Sequence, residues 1–284
     1  MPRIAYVNGR YLPQGEARVS IEDRGFQFAD GVYEVIAVKA GGFVDLPLHL
    51  ARLSHSLDEI RVPAPMTQGA LTRVMAEMLR LNEVHEGYLY LQITRGAAPR
   101  DFAFPRDVTP SLVMTARRAR LGNLARAAEG VAVITIPDIR WQRCDIKSVG
   151  LLASVLGKQQ AREAGAFEAW QVDEAGFITE GTSSNAWIIT AAGEAVTRRA
   201  DHMILNGVTR LGLIGVLAEN GLSFRERSFT RAEAYEASEA FLTSTTNFVM
   251  PVVRIDGRVV GSGLVGPVAR VLIALYAAHA GGGR

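Results

Sequence analysis

The stretch GVYEVIAVKAGGFVDLPLHLARLSHSLDEI, residues 31–60, carries the two periods that decide the fold. Its first eight residues, Gly31 to Val38, are rich in β-branched and aromatic side chains and read as a strand. After the Gly41-Gly42 pair, Leu50, Leu53, Leu57 and Ile60 recur at helical spacing, which predicts an amphipathic helix over 46–60. Upstream, Asn8-Gly9 separates two short strands at 4–7 and 10–12. That dipeptide is a hairpin signal because both central residues of a type I′ turn need positive φ. Downstream, Leu71, Val74, Met75, Met78 and Leu79 share one face of a helix predicted over 67–82, and strands follow at 88–94 and 112–115. The next segment is rich in Arg and Ala. It suggests a linker at 119–124 between an N-terminal α/β domain, 1–118, and a C-terminal α/β domain, 125–284, that carries Lys147.

The second half mixes the same two periods. Strands are predicted at 131–136, 168–172, 186–190, 240–243 and 252–255, with a hairpin through Asp256-Gly257 into 258–260. Helices are predicted at 150–165, 208–220 and 267–279, with the tail 281–284 frayed. Strands and helices are interspersed without a regular βαβ alternation. That pattern favours two α+β domains over a doubly wound sheet.

Composition narrows the function classes. The chain has 284 residues, is 48% hydrophobic and 21% charged, and carries a formal net charge of +2, which supplies no strong field towards nucleic acid or acidic lipid. Cys144 is the single cysteine, so neither an internal disulfide nor a thiolate metal cluster can form. No apolar signal segment opens the chain and no apolar run is long enough to span a bilayer, which together suggest a cytoplasmic protein. The five histidines are scattered, and no metal site is expected. Of the 31 basic residues only Lys39, Lys147 and Lys158 are lysine. Where arginine is so dominant, a remaining lysine is a candidate for amine chemistry that arginine cannot perform.

Four polar segments could hold a ligand. Lys147 sits between Ile146 and Ser148, where burial would favour the neutral, nucleophilic amine; the alternative is a solvated loop lysine. Glu180 leads a run of small polar residues, 181–185, into an apolar strand, either as a ligand loop or as an ordinary turn. Gly207-Val208-Thr209-Arg210 opens an apolar helix, whose free N–H groups attract phosphate, though a simple helix start has the same sequence. Thr243 to Asn247 is a hydroxyl cluster at a strand end. A buried amine, a carboxylate, a helix end and hydroxyls are the groups that pyridoxal phosphate requires. The GxGxxG match at 261–266 has only 18 residues after it, too few for a dinucleotide fold, and reads as a glycine loop.

The order of these segments resembles the class IV, fold-type IV pyridoxal-phosphate aminotransferases, and within them the D-amino-acid branch. The matching stretches are RGFQFADGVYEVI (24–36), HLARL (49–53), RCDIKS (143–148), ITEGTSSNAW (178–187), MILNGVTR (203–210) and LTSTT (242–246). The resemblance implies a two-domain α+β enzyme, pyridoxal 5'-phosphate as cofactor, small amino and 2-oxo acids as substrates, and a homodimer. It implies that Lys147 is the Schiff-base lysine and that Glu180 holds the ring nitrogen protonated. It implies phosphate contacts from Arg52, Val208, Thr209 and Thr245, and ring packing from Leu205. Tyr33, Arg100 and Thr246 would lie on the substrate side. Taken by itself, Arg52 lies on the polar side of its helix and would by default be solvated. Arg100 could equally pair with Asp101 or face solvent. This branch typically has Arg-x-His where the chain reads Arg100-Asp101-Phe102, so an apolar ring replaces a hydrogen-bonding imidazole.

The activity implied is transfer of an amino group from a D-alanine-like donor to a 2-oxoglutarate-like acceptor. Alternatives on the same fold are a branched-chain L-amino-acid aminotransferase, an aminodeoxychorismate lyase and an (R)-amine aminotransferase. A non-enzymatic α/β binding module is the alternative of a different class.

Overall fold

The computed structural model describes residues 3–282. The tail reading at 281–284 therefore falls partly outside the described residues. Two compact units form. The first takes in the described residues up to Arg120 together with Ile146–Gly150; the second takes in Leu121–Asp145 and Leu151–Gly282.

In the first unit the chain runs β1 (Ile4–Val7), β2 (Arg10–Pro13), α1 (Arg24–Phe28), β3 (Gly31–Lys39), β4 (Gly42–Phe43), α2 (Leu46–Glu59), α3 (Gln68–Leu81), β5 (Gly87–Thr94) and β6 (Ser111–Arg118). The strands form one sheet in the order β2-β1-β6-β5-β3-β4, antiparallel at every step. Asn8 and Gly9 adopt the positive φ that the tight turn needs. Alternation sorts the sheet's two faces. Val32, Ile36, Leu89, Leu91, Ile93 and Met114 are buried with Leu53 and Leu57 of α2 and Leu71, Met75 and Met78 of α3. Tyr33, Val35, Tyr90 and Gln92, of opposite parity, lie on the other, half-buried face. Thr67 caps α3 by accepting from the Ala70 N–H.

The sequence puts Lys147 in the C-terminal domain, but the structure packs its segment with the first unit. The reason is an open strand edge. β5 lines one side of β3 throughout, whereas β4 pairs only with Val38 and Lys39 on the other. Residues 147–149 pair with the remaining edge. Tyr33 N–H donates to the Lys147 carbonyl at 3.0 Å and Val149 N–H to the Gly31 carbonyl at 3.0 Å, and Val32 bridges Ser148.

The second unit contains α4 (Leu124–Glu129), β7 (Val131–Pro137), α5 (Leu152–Glu163), β8 (Glu168–Val172), β9 (Ile178–Gly181), β10 (Asn185–Ile189), β11 (Ala195–Thr197), α6 (Val208–Glu219), β12 (Phe224–Glu226), α7 (Arg231–Tyr235), β13 (Glu239–Ser244), β14 (Phe248–Ile255), β15 (Arg258–Val259) and α8 (Pro267–Gly282). Eight strands follow the order β12-β11-β10-β13-β14-β7-β8-β9, and β15 pairs with β14. The sheet is mixed: β11–β12, β14–β7 and β7–β8 are parallel. Its core includes Trp170, Ile188, Phe229, Leu242, Met250 and Ile255. Gly261 has φ +52°, and a Cβ there would stand 2.1 Å from the Ser238 carbonyl oxygen, so the GxGxxG match is a tight turn after β15.

Candidate active site

Lys147 is half-buried, and its position is fixed through its backbone. Besides the edge bonds to β3, its N–H donates to Ser56 Oγ on α2 at 3.1 Å. Its Nζ stands 4.3 Å from the centre of the Tyr33 ring. The ring face attracts a cationic head, so the contact holds the side chain in place above a main chain that is itself anchored. Lys158 is 45% exposed at its side chain and donates to the Phe167 carbonyl, and Lys39 is half-buried at the end of β3.

Arg52 departs from the solvated default. Its side chain is 8% exposed and donates from Nε to Glu34 Oε1 at 2.7 Å and from Nη2 to Oε2 at 2.8 Å. Glu34 lies on the core face of β3 and is fully buried, and His49 Nδ1 is 2.7 Å from its Oε2. Burial pushes the Glu34 carboxyl up, but the Arg52 charge and the hydrogen bonds from Arg52 and His49 overcome it and hold the pKa at about 2. Burial pushes His49 below its ordinary value despite the pull of Glu34, so the imidazole stays neutral at pH 7. A fixed guanidinium is the outcome, set by a buried anion.

Arg100 is exposed, with its guanidinium 4.5 Å from the centre of the Phe28 ring. The Phe102 ring lies 5.4 Å from Phe28 and is 83% exposed. A buried ionic cluster braces this loop. Asp30 accepts from Arg24 Nε at 2.8 Å and from Arg95 Nε at 2.7 Å, and Arg24 Nη1 donates to the Asp101 carbonyl at 2.5 Å.

In the second unit, Glu180 on β9 is 5% exposed. It accepts from Asn185 Nδ2 at 3.0 Å, from the Leu205 N–H at 3.1 Å and from Arg140 Nη1. Asn185 also donates to the Leu205 carbonyl, so one amide ties β10 to both neighbours. Helix α6 starts at Gly207 with no side-chain cap, although Val208 and Thr209 are buried. A Cβ at Gly207 would stand 2.0 Å from Asn185 Oδ1, so only glycine fits this approach. A buried helix end without a capping side chain suits an anion. Thr245 is half-buried and Thr246 exposed in the turn after β13.

Lys147, Tyr33, Arg52 and Arg100 are thus carried by the first unit, and Glu180, Leu205, Val208, Thr209, Thr245 and Thr246 by the second. Sequence reasoning passed over Glu34, His49, Asp138 and Arg140. Glu34 had a signal: it is a charge at a core-facing position of an apolar strand, and such a charge needs a partner. The link from Asp138 and Arg140 to Glu180, some forty positions on, leaves no period in the chain. Among the described residues no group of His, Cys, Asp or Glu could hold a metal ion.

The family described as "Amino-transferase class IV" matches residues 31–255, and the chain belongs to it. It is 42% identical over 264 residues to the D-alanine aminotransferase of Bacillus licheniformis, covering 93% of this chain and 92% of that protein. It is 38% identical to the D-alanine aminotransferase of Staphylococcus haemolyticus, with 94% of each covered. A branched-chain amino acid aminotransferase of T.th., solved with pyridoxamine 5'-phosphate, matches at a TM-score of 0.90 and 28% identity over 100% of this chain and 96% of that one. The protein is a pyridoxal-phosphate-dependent aminotransferase of fold type IV with the two-domain α+β architecture.

Proposed function

We propose that the protein is a D-amino-acid transaminase, moving the amino group of a D-alanine-like donor to a 2-oxoglutarate-like acceptor. The observation that carries the reading is Lys147, whose main chain is locked to β3 and whose amine lies over Tyr33. Similarity to two D-alanine aminotransferases over more than nine-tenths of the chain supports the D-amino-acid branch. Pyridoxal phosphate, when bound, supplies an aldehyde for the donor's amine and a ring that takes up electrons released at Cα. Lys147 holds the cofactor and carries the proton between Cα and C4′. Glu180 keeps a proton on the ring nitrogen. Arg52, the Val208 and Thr209 end of α6, and Thr245 hold the phosphate, and Leu205 packs on the ring. Tyr33, Arg100 and Thr246 face the substrate, with Arg100 taking its carboxylate.

Two further readings accompany this one. The protein works as a homodimer: Leu152, Val155 and Leu156 form an exposed apolar stripe on α5 that a second copy would cover. It resides in the cytoplasm, in keeping with its one free cysteine, Cys144. No helix among the described residues is long and apolar enough to cross a membrane.

Borohydride reduction of the cofactor-loaded protein followed by peptide mapping tests the lysine. The label is expected on Lys147, and a label elsewhere sinks the assignment. Turnover with D-alanine and 2-oxoglutarate, but not with L-leucine, is expected. The second reading is a branched-chain L-amino-acid aminotransferase, favoured by the 0.90 fold match; turnover of L-leucine without D-alanine would establish it.

A further inference from the structure

The guanidinium against Glu180 poses a charge problem. An arginine bonded to this carboxylate would by itself cancel the negative charge meant for a cationic ring nitrogen. The structure supplies a second carboxylate behind the arginine. Asp138 Oδ1 accepts from Arg140 Nε at 2.9 Å and Oδ2 from Nη2 at 2.7 Å, a two-pronged pair. Arg140 Nη1 reaches Glu180 Oε1, and Nη2 also donates to the Met203 carbonyl at 3.0 Å. The Thr179 hydroxyl, next to Glu180 on β9, donates to Asp138 Oδ2 at 2.7 Å. The side chains are nearly out of solvent: Asp138 3%, Glu180 7% and Arg140 11% exposed.

We propose that Asp138 and Arg140 are positioning residues for Glu180: Arg140 fixes the carboxylate, and Asp138 neutralises Arg140, so that the cluster presents one net negative charge to the ring nitrogen. This rests on the reading of Glu180 as the ring-nitrogen partner. Neighbouring groups leave that balance unchanged. Burial pushes the Cys144 thiol up to about 12, so it is uncharged at pH 7. Asp145 is paired with Arg143 at 2.9 Å, and His202 stands 3.0 Å from its other oxygen. Burial pushes the Asp138 carboxyl up, but the hydrogen bonds and charge of Arg140 outweigh it and keep it ionised. In a site with little water, one unit of charge moves a neighbour's pKa by about one to three units.

The test loads the purified protein with pyridoxal phosphate labelled with nitrogen-15 in the ring and follows that nitrogen's resonance against pH. The wild type is expected to show a protonated ring nitrogen. Asp138→Asn leaves a neutral cluster, so the ring-nitrogen pKa should fall by about one unit or more, and kcat should fall by about tenfold with little change in KM. Arg140→Gln should raise that pKa by about one unit. The double variant, Asp138→Asn with Arg140→Gln, restores one net charge and should return the resonance towards the wild-type position. A purely structural role predicts the opposite, with the double variant worse than either single one. An Asp138→Asn resonance that stays at the wild-type position, or a double variant that does not recover, overturns the proposal. If Asp138→Asn does not fold, Arg140→Gln decides alone: a ring-nitrogen pKa at or below the wild-type value overturns it. Glu180→Gln separates the two layers. If it leaves the ring nitrogen protonated, the reading of Glu180 fails and the proposal with it; if the proton is lost there but the Asp138 variant changes nothing, only the proposal fails.

Discussion

Replacing Glu34 by glutamine removes a buried anion while keeping its shape. In the native protein Glu34 and Arg52 are 1% and 8% exposed at their side chains and share two hydrogen bonds. The carboxyl is held at about 2 against an ordinary value of 4.5. A depression of that size corresponds to about 3 kcal/mol of stabilisation at neutral pH. Because the folded-state value lies below the unfolded one, this stabilisation is complete above pH 4.5 and is lost as the pH falls towards 2. Linkage leaves about 2 kcal/mol of it at pH 3.5. The variant also takes the carboxylate charge away from the Arg52 guanidinium, whose side chain is 8% exposed, which brings the expected loss at pH 7 to about 3–5 kcal/mol. Urea unfolding of wild type and Glu34→Gln, at pH 7 and again at pH 3.5, measures both numbers. The difference should shrink by at least about 1 kcal/mol on acidification, since glutamine does not titrate. A gap below about 1 kcal/mol at pH 7, or one that widens in acid, would refute the reasoning.

Three shorter predictions concern other parts of the molecule. Arg24→Ala releases the Asp101 carbonyl and weakens the hold on Asp30, so protease cleavage between 97 and 106 should be about tenfold faster by timed digestion. Gly207→Ala drives a Cβ to 2.0 Å from Asn185 Oδ1, and cofactor affinity by equilibrium dialysis should drop by about tenfold or more. Cys144 is 7% exposed and its thiol is pushed up to about 12 by burial, so a thiol reagent at pH 7.5 should react with it only after denaturation.

Much of the fold could be read from periodicity. The sheet face of Val32, Ile36, Leu89 and Leu91 and the α2 and α3 faces of Leu53, Leu57, Met75 and Met78 are local patterns, and they meet as the alternation implies. The short elements α1, α4 and α7 escaped because five or six residues are too few to show a helical period. The strands β11 and β12, of three residues each, escaped for the same reason. The buried state of Arg52 was hidden because its partner, Glu34, lies 18 positions away on another element. The ownership of the lysine segment was hidden because it depends on which strand edge is left open, and pairing order is not a local property.

That last feature bears on how the protein is made. During synthesis the edge of β3 at Gly31 to Tyr33 is finished more than a hundred residues before the segment that closes it, 147–149. Until then the nascent first unit presents unpaired N–H and C=O groups at a site that another chain can occupy. Residues 1–120 expressed alone would keep that edge open permanently. The segment that carries Lys147 is therefore also the stopper of a strand edge, and the first unit reaches its final form only after part of the second has left the ribosome.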